Sequence, residues 1–214
     1  MATLTGTPKR IFAGIAAAAV LAVPLSACGS DESSAPKPVA SIDALTGESI
    51  AIALGKGFTD ALASLKLTPG VTGTAKLTSG SLVFPITGGN VSVFEPGSVP
   101  NYVVGQIQHE GSGLSLAAGG TKVELTNLNV DPGVSRVYGD VTVNGKVAVT
   151  SAYLFQLNGS TLKPLKIKGN TAILQGAKVS ISKVAAPLLN DTFKTDAVKP
   201  GLLVGVATIT INTK

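Results

Sequence analysis

Val141-Thr142-Val143-Asn144-Gly145-Lys146-Val147 is the stretch that decides the fold class. Apolar and polar residues alternate on both sides of Asn144-Gly145, the pattern of a half-buried strand. Asn-Gly supplies two neighbours that tolerate positive φ, which a type I′ turn between two antiparallel strands requires. The reading is a β-hairpin, and it sets the pattern for the sequence on either side. Toward the N-terminus, Asp131-Pro132-Gly133 is a strong turn signal, and Lys122-Val123-Glu124-Leu125-Thr126 alternates as a strand. Ala118-Gly119-Gly120 turns the chain back to Leu114-Ser115-Leu116. Gly111-Ser112-Gly113 is expected to break this run from the partly alternating Tyr102–His109. Further strands are expected at Val91–Phe94, Ser81–Phe84, Val71–Leu77 and Ser49–Leu54, with a turn carried by Ile86–Asn90. Toward the C-terminus, Asn158-Gly159 marks a turn, Leu165–Lys168 and Lys178–Ile181 alternate, and Leu202–Ile211 suits a long central or closing strand.

Only two segments have a helical period. In Gly57–Leu65, Phe58, Leu62 and Leu65 share a face, and Pro69-Gly70 is expected to close the helix. In Val184–Phe193, Leu189 and Phe193 share a face and Ser182 is in place to cap. Pro187 either opens or kinks this second helix. Strands recur every 8–12 residues with turn signals between them, and no strand alternates with a long helix. The expectation is a mainly β fold, an antiparallel β-sandwich or flattened barrel with two short α-helices, formed by a single domain over residues 41–214. The chain is 44% hydrophobic with no Trp and only 4% aromatic residues, so the core should be aliphatic.

The N-terminus reads as an export leader over residues 1–27. Lys9-Arg10 precedes an apolar run from Ile11 to Val23, too short for the about 20 residues that span a bilayer as a helix. Leu25-Ser26-Ala27-Cys28 then resembles the lipobox of bacterial lipoproteins. That resemblance implies lipidation of Cys28, cleavage before it, and attachment to the extracytoplasmic face of the cell membrane. Two acyl chains give stable anchoring where one is marginal. Residues 28–40 are rich in Ser, Pro and charge, cannot bury apolar area, and read as a tether.

The composition excludes several function classes. One Cys and one His leave no Cys-based or His-rich metal site. No Gly-x-Ser-x-Gly elbow, phosphate-cradling glycine loop or spaced carboxylate pair is present, so no catalytic residue is assigned and a non-enzyme is expected. The net charge is +5, about +3 once Lys9 and Arg10 are removed with the leader. Lys163, Lys166 and Lys168 are the nearest approach to a basic cluster and read as a solvated strand face. With no basic stripe interleaved with aromatics, nucleic-acid binding is not expected.

The most specific stretch is Gly105-Gln106-Ile107-Gln108-His109-Glu110-Gly111-Ser112-Gly113-Leu114-Ser115-Leu116, followed by the strand Val123–Asp131. Residues 50–145 resemble, distantly, the Htaa family of haem-acquisition domains. There a strand ends in a His, a Gly-x-Leu-x-Leu run follows, and a strand of this pattern comes next. Val83-Phe84-Pro85-Ile86 and the Phe58 helix are similar to upstream features of the family. The resemblance implies haem as ligand, held by a Tyr near the early helix and a His at the strand end. The helix here, Phe58–Ser64, has no Tyr, so only His109 carries over. Tyr102 is the nearest phenol in sequence, but seven residues before His109 it would face the opposite way on an unbroken strand. A bulge, or Tyr138 or Tyr153 in its place, would alter that. Read from the residues alone, His109 is a polar residue at a strand end, beside Glu110 and facing water.

Two function classes follow. One is a non-catalytic binding module for haem or another flat or apolar ligand near His109 and Tyr102, with an apolar cavity beside His109. The other is a structural or adhesin-like envelope protein with a filled core, a solvated His109 and an envelope component as partner.

Overall fold

The computed structural model describes residues 35–213. Cys28 and the leader, with the lipidation and export readings that rest on them, lie outside the described residues. In chain order the elements are β1 (Ala40–Ile42), β2 (Glu48–Leu54), α1 (Lys56–Ser64), β3 (Thr68–Gly73), β4 (Lys76–Thr78), β5 (Ser81–Pro85) and β6 (Gly88–Val93). Then follow β7 (Val103–Ala118), β8 (Thr121–Asp131), β9 (Arg136–Val143), β10 (Lys146–Asn158), β11 (Lys166–Lys168), β12 (Thr171–Ile181), α2 (Ala185–Phe193) and β13 (Leu203–Asn212). The hairpin read from Val141–Val147 is β9–β10, with Val143 paired to Lys146 and Asn144 and Gly145 at φ 50° and 77°.

The strands form one antiparallel sheet in the order β1-β6-β7-β8-β9-β10-β12-β13-β2-β5-β4, with β11 on β12 and β3 on β7. Residues 81–93 close it on itself. In β5 they pair with β2, Phe84 opposite Ile50; in β6 they pair with β7, Gly88 opposite Gln108. At the switch, Ile86 N–H donates to Glu48 O at 2.8 Å and Thr87 N–H donates to Gln108 O at 2.9 Å. One segment thus ties together two strands far apart in the order, and the sheet becomes the flattened barrel expected. The turn read over Ile86–Asn90 is shorter than that, because Gly88, Gly89 and Asn90 belong to β6. Gly89 is required there: at φ 116°, a Cβ would meet Gln106 O at 2.0 Å.

The break expected at Gly111-Ser112-Gly113 is instead a bulge inside one 16-residue strand. Between His109 and Gly113, β7 advances against only Leu128 to Thr126 of β8. Neighbouring strands bulge at the same level, between Thr126 and Asn129 in β8 and between Val149 and Ala152 in β10. Gly111, Asn127 and Ser151 take the positive φ these bulges need. Side chains stitch them together. Gly111 N–H donates to Asn127 Oδ1 at 3.2 Å, Asn127 Nδ2 to Asp140 Oδ2 at 2.9 Å, and Ser151 N–H to Asp140 Oδ1 at 3.0 Å. The Asn127 amide first, then the Ser151 N–H, holds the Asp140 carboxyl below its usual range. Stacked bulges bend their strands and sharpen the twist, which lets so wide a sheet curl.

Helix α1 ends without help from Pro69-Gly70. Lys66 turns the chain at φ 54° and Leu67 N–H returns to Leu62 O at 2.8 Å. Pro69 and Gly70 lie in β3, whose named partner is β7 alone, so a missing N–H costs no ladder bond on its free side. Ser182 does prepare α2: its Oγ accepts from Val184 N–H at 3.1 Å and Ala185 N–H at 2.9 Å and donates to Tyr153 O at 2.6 Å. Pro187, in the first turn, opens the helix, because amides there have no intrahelical acceptor to lose. Phe58 and Leu62 of α1 and Ala185, Ala186 and Leu189 of α2 join the buried core. That core is aliphatic apart from Phe58, Phe84 and Phe155.

Candidate ligand cavity

β7 carries the nominated histidine. Its odd-numbered residues ahead of the bulge turn inward, so Ile107 and His109 are both buried, His109 to 2% exposure. The expectation that His109 ends a strand and faces water is therefore corrected. The glycines after it bulge the strand instead of ending it, and a side chain that shares a face with Ile107 enters the core.

Nδ1 of His109 lies 2.7 Å from Pro85 O. A carbonyl only accepts, so the proton sits on Nδ1 and the neutral ring keeps its lone pair on Nε2. Phe84 meets the ring edge-on, centroids 6.0 Å apart. Burial holds the imidazole below its ordinary value, and the Pro85 hydrogen bond only partly opposes this. The hollow at His109 is small, about 60 Å³, and is walled by Ile50, Leu82, Phe84, Leu128 and Val204 among others.

A second cavity, of about 640 Å³, lies at the end of the barrel where β1, β6 and the start of β7 face β12 and β13. Ile42, Val93, Ile107, Leu174, Ile209 and Ile211 give it an aliphatic wall. Tyr102, on the turn before β7, also lines it, as do Asn101, Gln156, Asn158 and Ser160. No charged side chain is among the lining residues. Val130, Leu157, Ala177 and Ile209 line both hollows and so form the partition between them.

The two residues nominated from sequence are thus not brought into one site. Tyr102 faces the large cavity, His109 the small one, and the partition stands between. Tyr138 and Tyr153 line neither. They pair across β9 and β10, centroids 6.0 Å apart, with the Arg136 guanidinium 4.8 Å from the Tyr153 ring centre. Arg136 Nη1 donates to Tyr138 OH at 3.3 Å, and Tyr153 OH donates to Gln156 Oε1. Among the described residues no group of three or more His, Cys, Asp or Glu could hold a metal ion, and no helix is long and apolar enough to cross a membrane.

Part of the cavity wall escaped sequence reasoning. Residues 100–102, 156–162 and β1 supply it from strand ends and turns, where no periodicity points inward. The one available signal was the pair of isolated apolar residues Leu162 and Leu165 in an otherwise polar connection. Both line the cavity.

No protein-family model matches the chain, and no curated protein matches it in sequence. Among solved structures, the C-terminal domain of HtaA from Corynebacterium glutamicum superposes with a TM-score of 0.55 at 16% identity, over 79% of this chain and 98% of that one. A domain-swapped dimer variant of the same domain gives 0.46 at 16% identity, covering 73% and 90%. The haem-binding protein HtaB from the same organism gives 0.40 at 8% identity, covering 81% and 96%. The first of these shows a shared fold, so the distant Htaa-type resemblance read from residues 50–145 is a resemblance of architecture.

Proposed function

We propose that this chain is a non-catalytic carrier that takes haem, or another apolar ligand of that size, into the cavity beside Tyr102. In this reading Cys28 and its tether hold the domain at the extracytoplasmic face of the cell membrane. The observation that carries the proposal is the aliphatic cavity of about 640 Å³. It falls within the range of roughly 300–1,000 Å³ in which small-molecule pockets lie. The shared fold and the sequence resemblance make haem the first ligand to try.

The residues present fit such a group on one side of the partition only. The large cavity has the apolar wall a macrocycle needs and one phenol, a side chain able to ligate haem iron. The hollow at His109, at about 60 Å³, is an order of magnitude smaller. Haem, if bound, would supply an iron able to accept a ligand such as the Tyr102 phenolate. The Ile42, Ile107 and Ile209 side chains would exclude water around such a ligand, and the Asn and Ser side chains of the lining would supply polar contacts. His109 supports the wall from behind. The adhesin-like alternative requires a filled core and a solvated His109, and gains no support from a buried His109 and an open cavity beyond the partition.

A visible-spectrum titration of haemin into residues 29–214 tests this, run beside Tyr102→Phe and His109→Gln. A saturable Soret shift is expected, weakened about tenfold or more in Tyr102→Phe and retained in His109→Gln. Absence of a saturable shift removes haem. Failure of an apolar dye to bind as well removes the carrier reading.

A further inference from the structure

The lysine cluster at Lys163, Lys166 and Lys168 borders the cavity. Leu165 lines it while 41% exposed, and Ile167 in the middle of β11 is 64% exposed. Ile167 pairs with Ala172 of β12, and directly paired residues share a face of the sheet. Ala172 lines the cavity, so Ile167 projects on the cavity side of the edge strand. Ala40 and Ser41 of β1 also line the cavity while exposed, and Val39 just before them is 67% exposed. Lys37 precedes these, and Lys37, Lys163, Lys166 and Lys168 are all exposed. Neither residues 35–42 nor residues 159–170 contain an acidic residue.

We infer that this rim is a membrane-docking face that seats on an anionic lipid bilayer, so that the cavity opens onto the bilayer and exchanges its ligand there. The inference rests on the reading of the cavity as a ligand site. On β11 Ile167 leaves the cavity side while Lys166 and Lys168 leave the other face, so this edge strand presents an apolar tip with ammonium groups on long flexible stems beside it. The apolar tips enter the headgroup boundary while the ammonium groups stay at the level of the phosphates. Each lysine near an anionic surface contributes about 1 kcal/mol, roughly a fivefold change in partition. The position in the chain agrees. β1 begins twelve residues after Cys28, a reach of at most about 40 Å when fully extended. A chain anchored through Cys28 therefore keeps this rim close to the lipid. Anchoring alone would not aim the opening, but a basic, apolar rim would.

The test uses residues 29–214 made without lipid. Every ladder of the sheet lies within residues 40–212, so leaving out the leader removes no strand pairing. The protein is sedimented with vesicles of phosphatidylcholine alone and of phosphatidylcholine mixed with phosphatidylglycerol. Binding is expected only to the mixed vesicles and should fall with added salt. The triple change Lys163→Gln, Lys166→Gln and Lys168→Gln should weaken it about a hundredfold, and Ile167→Ser about tenfold. Equal sedimentation of the triple variant and the parent, or none of the parent, overturns the inference. Haemin titration of the triple variant in solution separates the two readings. If it is normal while vesicle binding fails, only the docking face falls. If it fails in every variant while vesicle binding follows the lysines, only the cavity reading falls.

Discussion

Two of the apolar hollows lie on either side of one partition, and they are built by different means. The small one, at His109, is enclosed by inward-facing side chains of four strands: Ile50 of β2, Leu82 and Phe84 of β5, Leu128 within the bulge of β8 and Val204 at the start of β13. Ladder hydrogen bonds hold these strands at fixed spacing, so side chains fill the space almost completely. The large one takes its aliphatic wall from β6, β7, β12 and β13 and much of the rest from the turn at 100–102 and the connection at 159–165, which belong to no strand. The residue that the sequence singles out sits in the first, and the volume that could hold a ligand is the second. A histidine at a characteristic place in a fold can therefore belong to the architecture. Here it fastens the seam where residues 81–93 cross from β2 to β7, through Nδ1–H to Pro85 O.

The largest effect expected from this difference is on stability. His109→Ala removes a ring packed on Phe84, leaves a cavity, and orphans the Pro85 carbonyl at the seam. Comparable deletions of buried rings cost about 3–5 kcal/mol. Urea unfolding followed by circular dichroism should show a loss of that order. A loss below about 1 kcal/mol would mean that the seam closes without the imidazole, and the division between an architectural and a ligand-facing hollow would need redrawing.

The same residue gives the fold a dependence on acid. Its folded-state pKa lies below the ordinary imidazole value of 6.5, chiefly because burial disfavours the imidazolium. Below pH 6.5 the unfolded chain takes up a proton that the folded chain refuses. The stability from a neutral, buried His109 is therefore complete above pH 6.5 and is lost as the pH falls toward the folded-state value. The slope is at most about 1.4 kcal/mol per pH unit. Asp140 acts in a separate, more acidic window, because its depressed pKa withholds a proton only below the usual carboxylate value of 3.8. Unfolding midpoints from pH 7 to about pH 5 should fall for the parent chain and stay nearly level for His109→Gln. An unchanged slope in that variant would assign the effect to another group.

How far the sequence foretold these two regions follows from the same contrast. The β9–β10 hairpin, the α2 cap at Ser182 and the closing strand β13 were legible because each depends on neighbours in the chain: a turn dipeptide, a hydroxyl before a helix, an alternating run. The bulge at Gly111-Ser112-Gly113 was not, since the same glycines serve to end a strand or to bulge it. The choice between them is made by Asn127 on the adjacent strand, itself held by Asp140 on the strand beyond. The orientation of His109 depended on that choice and was misread with it. Pro69-Gly70 read as a helix stop because the lack of a ladder partner on the free side of β3 is a property of the sheet. The cavity left the least trace of all. It is a place where packing stops, and periodicity records only where packing occurs.

The smallest expected effect is on stability at Tyr102. This phenol precedes β7 on a turn and lines an open cavity, and the ring would remain after Tyr102→Phe. Removing one hydroxyl from such a surface should change the unfolding free energy by less than about 0.5 kcal/mol. Measured by the same urea titration as His109→Ala, the two variants should then differ severalfold on one side of the partition and the reverse in ligand affinity on the other. A Tyr102→Phe chain that lost as much stability as His109→Ala would show that the turn at 100–102 is braced into the core. The large cavity would then be a packing fault of the barrel, not a site built to be filled.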